Sequence, residues 1–167
     1  MQKNEHSTVL LHEAVAALKI QDSGIYIDGT FGRGGHSQQV LKELGSEGQL
    51  WVIDKDPESI QFAQRMQNED GRLSIYQGSF ADIGALAQQH ALTGKLQGVL
   101  LDLGVSSPQI DDPSRGFSFM KDGPLDMRMD PTTGVSASDW LNHSDQDEIA
   151  QFIKQYVEEK LCKRIAH

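Results

Sequence analysis

Cysteine is nearly missing from this sequence: Cys162 is the only one in 167 residues. It cannot form an internal disulfide and has no ligand partners at metal spacing. A disulfide scaffold is therefore excluded, a reducing compartment is expected, and catalysis is expected to need no metal. Long apolar runs are missing as well. Nowhere do roughly eighteen apolar residues follow one another, and Met1-Gln2-Lys3-Asn4-Glu5-His6 leads into neither an apolar stretch nor a small-residue cleavage site; the expectation is a cytoplasmic protein with no membrane partner. Excess positive charge is also absent. A net charge of −9 argues against a broad basic field for nucleic acid, so any such contact must be local, at Arg115, Lys121 and Arg128 or at Lys160, Lys163 and Arg164. Proline is sparse at 5 and glycine somewhat abundant at 16. With 38% apolar residues and a mean hydropathy of −0.44, the chain reads as a folded protein long enough for one ordinary domain.

What is present is an alternation. Val9, Leu11, Ala14, Val15 and Leu18 recur at helical spacing and predict a first helix over about 8–18. Ile25-Tyr26-Ile27 reads as a strand ending at Asp28, and after a glycine-rich loop Val40, Leu41 and Leu44 resume a helical period. Leu50-Trp51-Val52-Ile53 is a second strand; Asp56 can then cap, and Pro57 open, a helix carrying Ile60, Phe62, Ala63 and Met66. A third strand at Leu73-Ser74-Ile75-Tyr76, a helix with Ile83, Leu86, Ala87 and His90, and a fourth strand at Val99-Leu100-Leu101-Asp102-Leu103 complete the series. Strands alternating with helices predict an α/β class, a doubly wound parallel sheet with helices on both faces. From Gly104 to Gly134 glycines and prolines are too frequent for regular elements, which predicts a long loop. Ser136 with Asp139, and Ser144 with Asp147, then have capping-box spacing and predict two further helices.

The chemistry concentrates in the loop after the first strand, where four glycines lie between Asp28 and Ser37. They let a ligand approach the backbone and leave helix N–H groups pointing outward. Asp54, twenty residues beyond Gly34 at the end of the second strand, stands where nucleotide-binding sheets place a carboxylate for the ribose hydroxyls. Two cofactor classes use this plan. A dinucleotide loop wants G-x-G-x-x-G, whereas here Ser37 takes the third glycine position, and Asp28 at the strand end suits a cation better than a pyrophosphate. S-adenosylmethionine carries both an ammonium and a sulfonium and is favoured over a nicotinamide dinucleotide. Asp102, at the carboxyl end of the fourth strand, lies in the ligand crevice and can accept an N–H from an exocyclic amine that attacks the methyl group. Each feature also has a plainer alternative: a tight strand-to-helix turn for the loop, an ordinary loop histidine for His36, a helix-capping acid for Asp54, a core aromatic for Phe80 and a turn cap for Asp102.

These residues resemble the bacterial 16S ribosomal RNA cytosine N4-methyltransferases. The resemblance runs through His6-Ser7-Thr8-Val9-Leu10-Leu11-His12-Glu13-Ala14, the loop Tyr26-Ile27-Asp28-Gly29-Thr30-Phe31-Gly32-Arg33-Gly34-Gly35-His36-Ser37, and Leu101-Asp102-Leu103-Gly104-Val105-Ser106-Ser107-Pro108-Gln109. Its most specific part is Arg115-Gly116-Phe117-Ser118-Phe119-Met120, continuing through Asp122-Gly123-Pro124-Leu125-Asp126-Met127-Arg128-Met129-Asp130. It implies S-adenosylmethionine as cofactor, held by Gly34, Gly35, His36, Asp54, Phe80, Asp102 and Gln109, and Asp102 as the catalytic residue. It also implies a class I, Rossmann-like methyltransferase fold and a cytosine in the decoding region of 16S rRNA, in the small ribosomal subunit, as acceptor. Phe117, Phe119, Met127 and Met129 can enclose a flipped-out base or form a small core under their loop.

The expected organisation is a cofactor-binding half over 1–105 and a substrate loop with a partial helical insertion over 106–167. Family members run on past this point and return to the sheet, so an incomplete sheet in the order 3-2-1-4 is expected, with the outer edge of the fourth strand unpaired. The family pattern also leads to a glycine after Tyr156, where Val157 is expected to straighten a helix junction. Two functions follow: N4-methylation of the cytosine by a truncated form with impaired activity, or a non-catalytic fragment that binds cofactor or partner. The open edge admits a homodimer.

Overall fold

The computed structural model describes residues 8–167, so the His6-Ser7 start of the opening motif lies outside the described residues. Strands β1 (Ile25–Asp28), β2 (Gln49–Asp54), β3 (Leu73–Gln77) and β4 (Leu96–Leu100) form one parallel sheet in the order β3-β2-β1-β4. This is the parallel α/β sheet that the alternation predicts, in the strand order that the resemblance implies. Helix α1 (Leu11–Leu18) precedes the sheet, and helices α2 (Gly35–Glu43), α3 (Pro57–Glu69) and α4 (Ile83–Gln89) lie between successive strands. Successive strand side chains point to opposite faces. Tyr26, Leu50, Val52 and Leu73 accordingly join Val15, Val40, Leu41 and Ala63 in the larger core, while Ile27 and Ile53 meet Leu86 in a smaller one. Helix α3 starts as its sequence predicts: Asp56 accepts the Glu58 N–H at 3.0 Å and Pro57 takes the first turn.

Several boundaries differ from expectation. Helix α1 begins at Leu11 rather than near Thr8, because Leu10 adopts a left-handed conformation (φ 50°), and Val9 is exposed instead of packed. Strand β4 lies three residues earlier than the apolar run 99–103. It begins at Leu96, opposite Ile25, and Leu101 and Leu103 beyond its end are 44% and 66% exposed. The close approach explains the shift: a Cβ on Gly98 would stand 2.9 Å from Leu18 and 3.1 Å from the Tyr26 ring, so only glycine lets this strand lie against β1 and α1.

Contacts divide the chain into two compact units, one ending at Ser107 and one running from Pro108 to His167. The stretch expected to be wholly irregular contains helix α5 (Ser107–Asp111) and a 3₁₀ turn at Pro113–Arg115. Helix α6 (Ala137–His143) is capped by Ser136, whose Oγ accepts the Asp139 N–H at 3.1 Å. Helix α7 (Gln146–Phe152) is capped by Asp145 rather than Ser144: the Asp145 carboxylate accepts the Glu148 N–H at 2.8 Å, while Ser144 closes the preceding helix. Val157 does not straighten the junction. It ends a π-helical turn (Ile153–Val157), and the chain reverses at Glu158 (φ 57°) before α8 (Cys162–Ile165).

Candidate functional site

The sheet reverses its order of winding at β1, because β2 and β3 lie on one side of it and β4 on the other. Loops leaving the carboxyl ends of β1 and β4 must diverge there, and that divergence opens a crevice. The β1 loop is fixed by backbone and carboxylate contacts along its length. Gly29 N–H donates to Leu100 O at 2.9 Å and Phe31 N–H to Ile53 O at 3.1 Å, which ties the loop to both neighbouring strands. Gly32 N–H donates to Asp54 Oδ2 at 2.8 Å. Gly34 caps α2 with φ 77°, and a Cβ there would lie 2.8 Å from both the Phe31 ring and Met66 Sδ, so conformation and space both require glycine. Having no side chain, it leaves the first N–H groups of α2 without a side-chain cap. Between Gly32 and Gly34, Arg33 lies 3.1 Å from Glu58 and 4.9 Å above the Phe62 ring.

Three titratable side chains define the electrostatics of this loop. Asp28 is 2% exposed; its Oδ2 accepts the Ser37 hydroxyl at 2.6 Å and its Oδ1 the Thr30 N–H at 3.1 Å. Burial raises its pKa above the ordinary carboxylate value, a shift opposed by those two hydrogen bonds and by His36. Asp28 thus braces the loop from inside. His36 is buried at 6% exposure, and its Nε2 has no hydrogen-bond partner, an unmet capacity at the rim of the loop. Asp54 accepts Gly32 N–H on one oxygen and Asp56 N–H, at 2.9 Å, on the other. It does not cap α3, a role that falls to Asp56. A carboxylate has about four acceptor positions, so about two remain, the number a ribose diol uses.

Phe80 follows β3 in a 3₁₀ turn (Phe80–Asp82) closed by Ser79 N–H donating to Asp82 Oδ2 at 3.1 Å. At 43% exposure it is not a core aromatic. Its Cβ and Leu101 crowd Gly29, where an added Cβ would lie 3.2 Å and 2.5 Å from them. Asp102 is exposed at the end of β4, and its N–H donates to Thr30 Oγ1 at 2.7 Å. The first unit therefore gathers Gly34, Gly35, His36, Asp54, Phe80 and Asp102 along the carboxyl edge of one sheet. Gln109 belongs to the second unit, on α5, where it is buried and its Nε2 lies 3.4 Å from Met129 Sδ.

Within the second unit the loop 115–130 is pinned rather than loose. Buried Arg115 donates from Nη2 to the carbonyls of Arg128 (3.2 Å) and Met129 (2.8 Å), and accepts the Met127 N–H at 3.0 Å. Arg128 grips Asp126 with Nε and Nη2, at 3.0 and 2.6 Å, and this guanidinium holds the Asp126 pKa down to about 2. Phe119 and Met120 at the tip are 102% and 92% exposed, while Phe117 and Met129 are partly buried, so the loop's apolar residues split between surface and interior. Near the C-terminus, exposed Lys154, Lys160, Lys163 and Arg164 line one concavity of about 590 Å³ together with Glu158 and Glu159.

An adenosyl ligand with an amino-acid tail matches this edge: uncapped helix N–H groups suit a carboxylate, Asp54 a diol, Phe80 a purine face. Ser37, at the third glycine position of a dinucleotide loop, is fully buried and committed to Asp28. Thr30 is the residue that sequence reasoning overlooked. Its signal was the Asp-x-Thr spacing after a strand, which makes Thr30 the first residue to fold back onto the Asp28 carboxylate.

The model of the MraW methylase family matches residues 3–167. Among solved structures, the chain is similar to a SAM dependent methyltransferase from Aquifex aeolicus (17% identity over 41% of this chain and 38% of that one, TM-score 0.37). It is similar also to a methyltransferase from Geobacter sulfurreducens (18% identity, 48% and 43%, TM-score 0.40) and to an rRNA methylase from Streptococcus thermophilus (13% identity, 57% and 68%, TM-score 0.36). The chain spans less than half the length of the first two.

Proposed function

This chain belongs to the MraW methylase family, whose cofactor is S-adenosylmethionine, and we propose that it serves the N4-methylation of a cytosine in the decoding region of 16S rRNA. The observation that carries the reading is Asp54: fastened to the glycine loop through Gly32, it keeps about two acceptor positions for a ribose diol at the crevice. The cofactor, when bound, supplies a methyl group on a sulfonium, which is already a good leaving group. The protein's task is then mainly alignment. Gly34, Gly35 and His36 receive the methionine end and Phe80 packs on the adenine; Gln109 is a further cofactor contact by the family resemblance alone. Asp102 contacts the cofactor and also accepts an N–H from the exocyclic amine, freeing its lone pair for attack. The acceptor is RNA within a structured small ribosomal subunit, which suits a protein of net charge −9 whose cations are local. Within the second unit, the cluster Lys154, Lys160, Lys163 and Arg164 meets RNA phosphates, and wholly exposed Phe119 offers a face on which a base can stack.

Calorimetric titration with S-adenosylhomocysteine and with NAD tests the cofactor; preference for NAD would sink the reading. Methyl transfer from labelled S-adenosylmethionine to undermethylated small subunits tests the reaction, with label expected on one cytosine N4. A second reading, binding without turnover by this chain or by a homodimer of it, is favoured by β4. Among the described residues β4 pairs only with β1, and its Val99 is 41% exposed. Cofactor binding without label transfer would support that reading.

A further inference from the structure

We propose that Thr30 is a positioning residue that sets Asp102 against the cofactor loop, an inference that rests on the reading of Asp102 just given. The β1–β4 ladder runs from Ile25 to Asp28 and continues as Gly29 N–H to Leu100 O at 2.9 Å. In a regular parallel ladder the next rung would give the Asp102 N–H a backbone carbonyl of the neighbouring segment. Here a side chain takes that rung: the Asp102 N–H donates to Thr30 Oγ1 at 2.7 Å. Thr30 is itself held, because its N–H donates to Asp28 Oδ1 at 3.1 Å while Asp28 Oδ2 receives the Ser37 hydroxyl at 2.6 Å. Four residues, Ser37 at the start of α2, Asp28 at the end of β1, Thr30 in the loop after it and Asp102 just past β4, are thereby joined in one hydrogen-bonded line. Asp28 and Ser37 are buried, so the line is anchored in the interior and ends at the exposed residue 102. Asp102 follows a strand end, between Leu101, which is 44% exposed and touches the loop at Gly29, and Leu103, which is 66% exposed, so packing fixes it weakly. The Thr30 hydroxyl supplies what packing does not.

The test is a double-mutant cycle on the full chain, read by S-adenosylhomocysteine titration and by hydrogen exchange of the Asp102 amide. Thr30→Val removes the acceptor at nearly constant shape, and Thr30→Ser keeps it. Thr30→Val is expected to weaken binding roughly three- to tenfold, to add nothing further when Asp102→Ala is already present, and to accelerate Asp102 amide exchange about tenfold or more. Thr30→Ser is expected to stay near the parent in both readouts. The proposal is overturned if Thr30→Val weakens binding equally with and without Asp102, if serine fares as badly as valine, or if the amide exchange rate does not move. Should Asp102→Ala itself bind as the parent does, it is the cofactor role of Asp102 that fails; the exchange rate then decides for or against Thr30 alone.

Discussion

Replacing Asp54 by asparagine keeps the shape of the side chain and removes its charge together with one of its two acceptor oxygens. The parent carboxylate holds Gly32 N–H at 2.8 Å and Asp56 N–H at 2.9 Å, on different oxygens. Whichever way the new amide turns, its NH₂ faces one of those donors and leaves it unpaired. That costs about 1–3 kcal/mol of stability, the penalty of a stranded donor. On the ligand side the loss of one bond to a charged acceptor is worth about 1.5–3 kcal/mol, roughly a ten- to hundredfold weaker complex. The two effects separate in two assays: urea unfolding of the free protein for the first, and calorimetric titration with S-adenosylhomocysteine, well below the melting temperature, for the second. A variant less stable by the stated amount yet binding within about threefold of the parent would refute the ribose role and leave Asp54 as a brace for the glycine loop alone.

Gly34→Ala should lose about 2–5 kcal/mol in urea unfolding, from a left-handed residue at φ 77° and from a Cβ placed 2.8 Å from Phe31 and Met66; a loss under about 1 kcal/mol would show that the loop relaxes freely. Phe80→Ala should weaken S-adenosylhomocysteine binding roughly ten- to hundredfold while stability hardly moves, because the ring is 43% exposed. The reverse pattern would return Phe80 to a packing role. Asp28 gives a pH dependence. Its folded pKa is raised above the ordinary 3.8 by burial, so the stability it contributes is fully present below that value and is lost as pH climbs through the folded pKa. Relative to Asp28→Asn, the parent should therefore lose stability as pH rises above 3.8, measured as urea midpoints across a pH series; a difference that stays flat would contradict the assignment.

Most of the sheet was legible because its strands are short apolar runs ended by Asp28, Asp54 and glycine, and because helices lie between them. β4 was misplaced for a physical reason. Leu96-Gln97-Gly98 lacks the look of a strand, yet Gln97 Oε1 accepts the Ile25 N–H at 2.5 Å and Gly98 is the residue that fits beneath Tyr26. The more apolar Leu101 and Leu103 continue past the ladder into an exposed loop, so hydrophobicity alone pointed too far along the chain. Likewise Ser144 and Asp145 are both able caps, and only the end of α6 at His143 decides between them. In the candidate site, glycine spacing and Asp54 could be read directly, being local to single loops. The Thr30–Asp102 contact joins residues 72 apart, and no pattern within either segment announces it.

The strand order also predicts a sequence of events in folding. Ile27 meets Trp51 after 24 intervening steps of chain but meets Val99 only after 72, so closing the second pairing costs about 1 kcal/mol more in loop entropy. β1, β2 and β3 can condense with α2 and α3 as soon as they are made, burying the larger core. β4 docks onto that preformed half from a greater distance, and with it come the ends of the two loops that frame the crevice. Among these four strands a packed sheet is therefore expected to form before the binding edge is assembled, and the last of the four to dock is the one that brings Asp102.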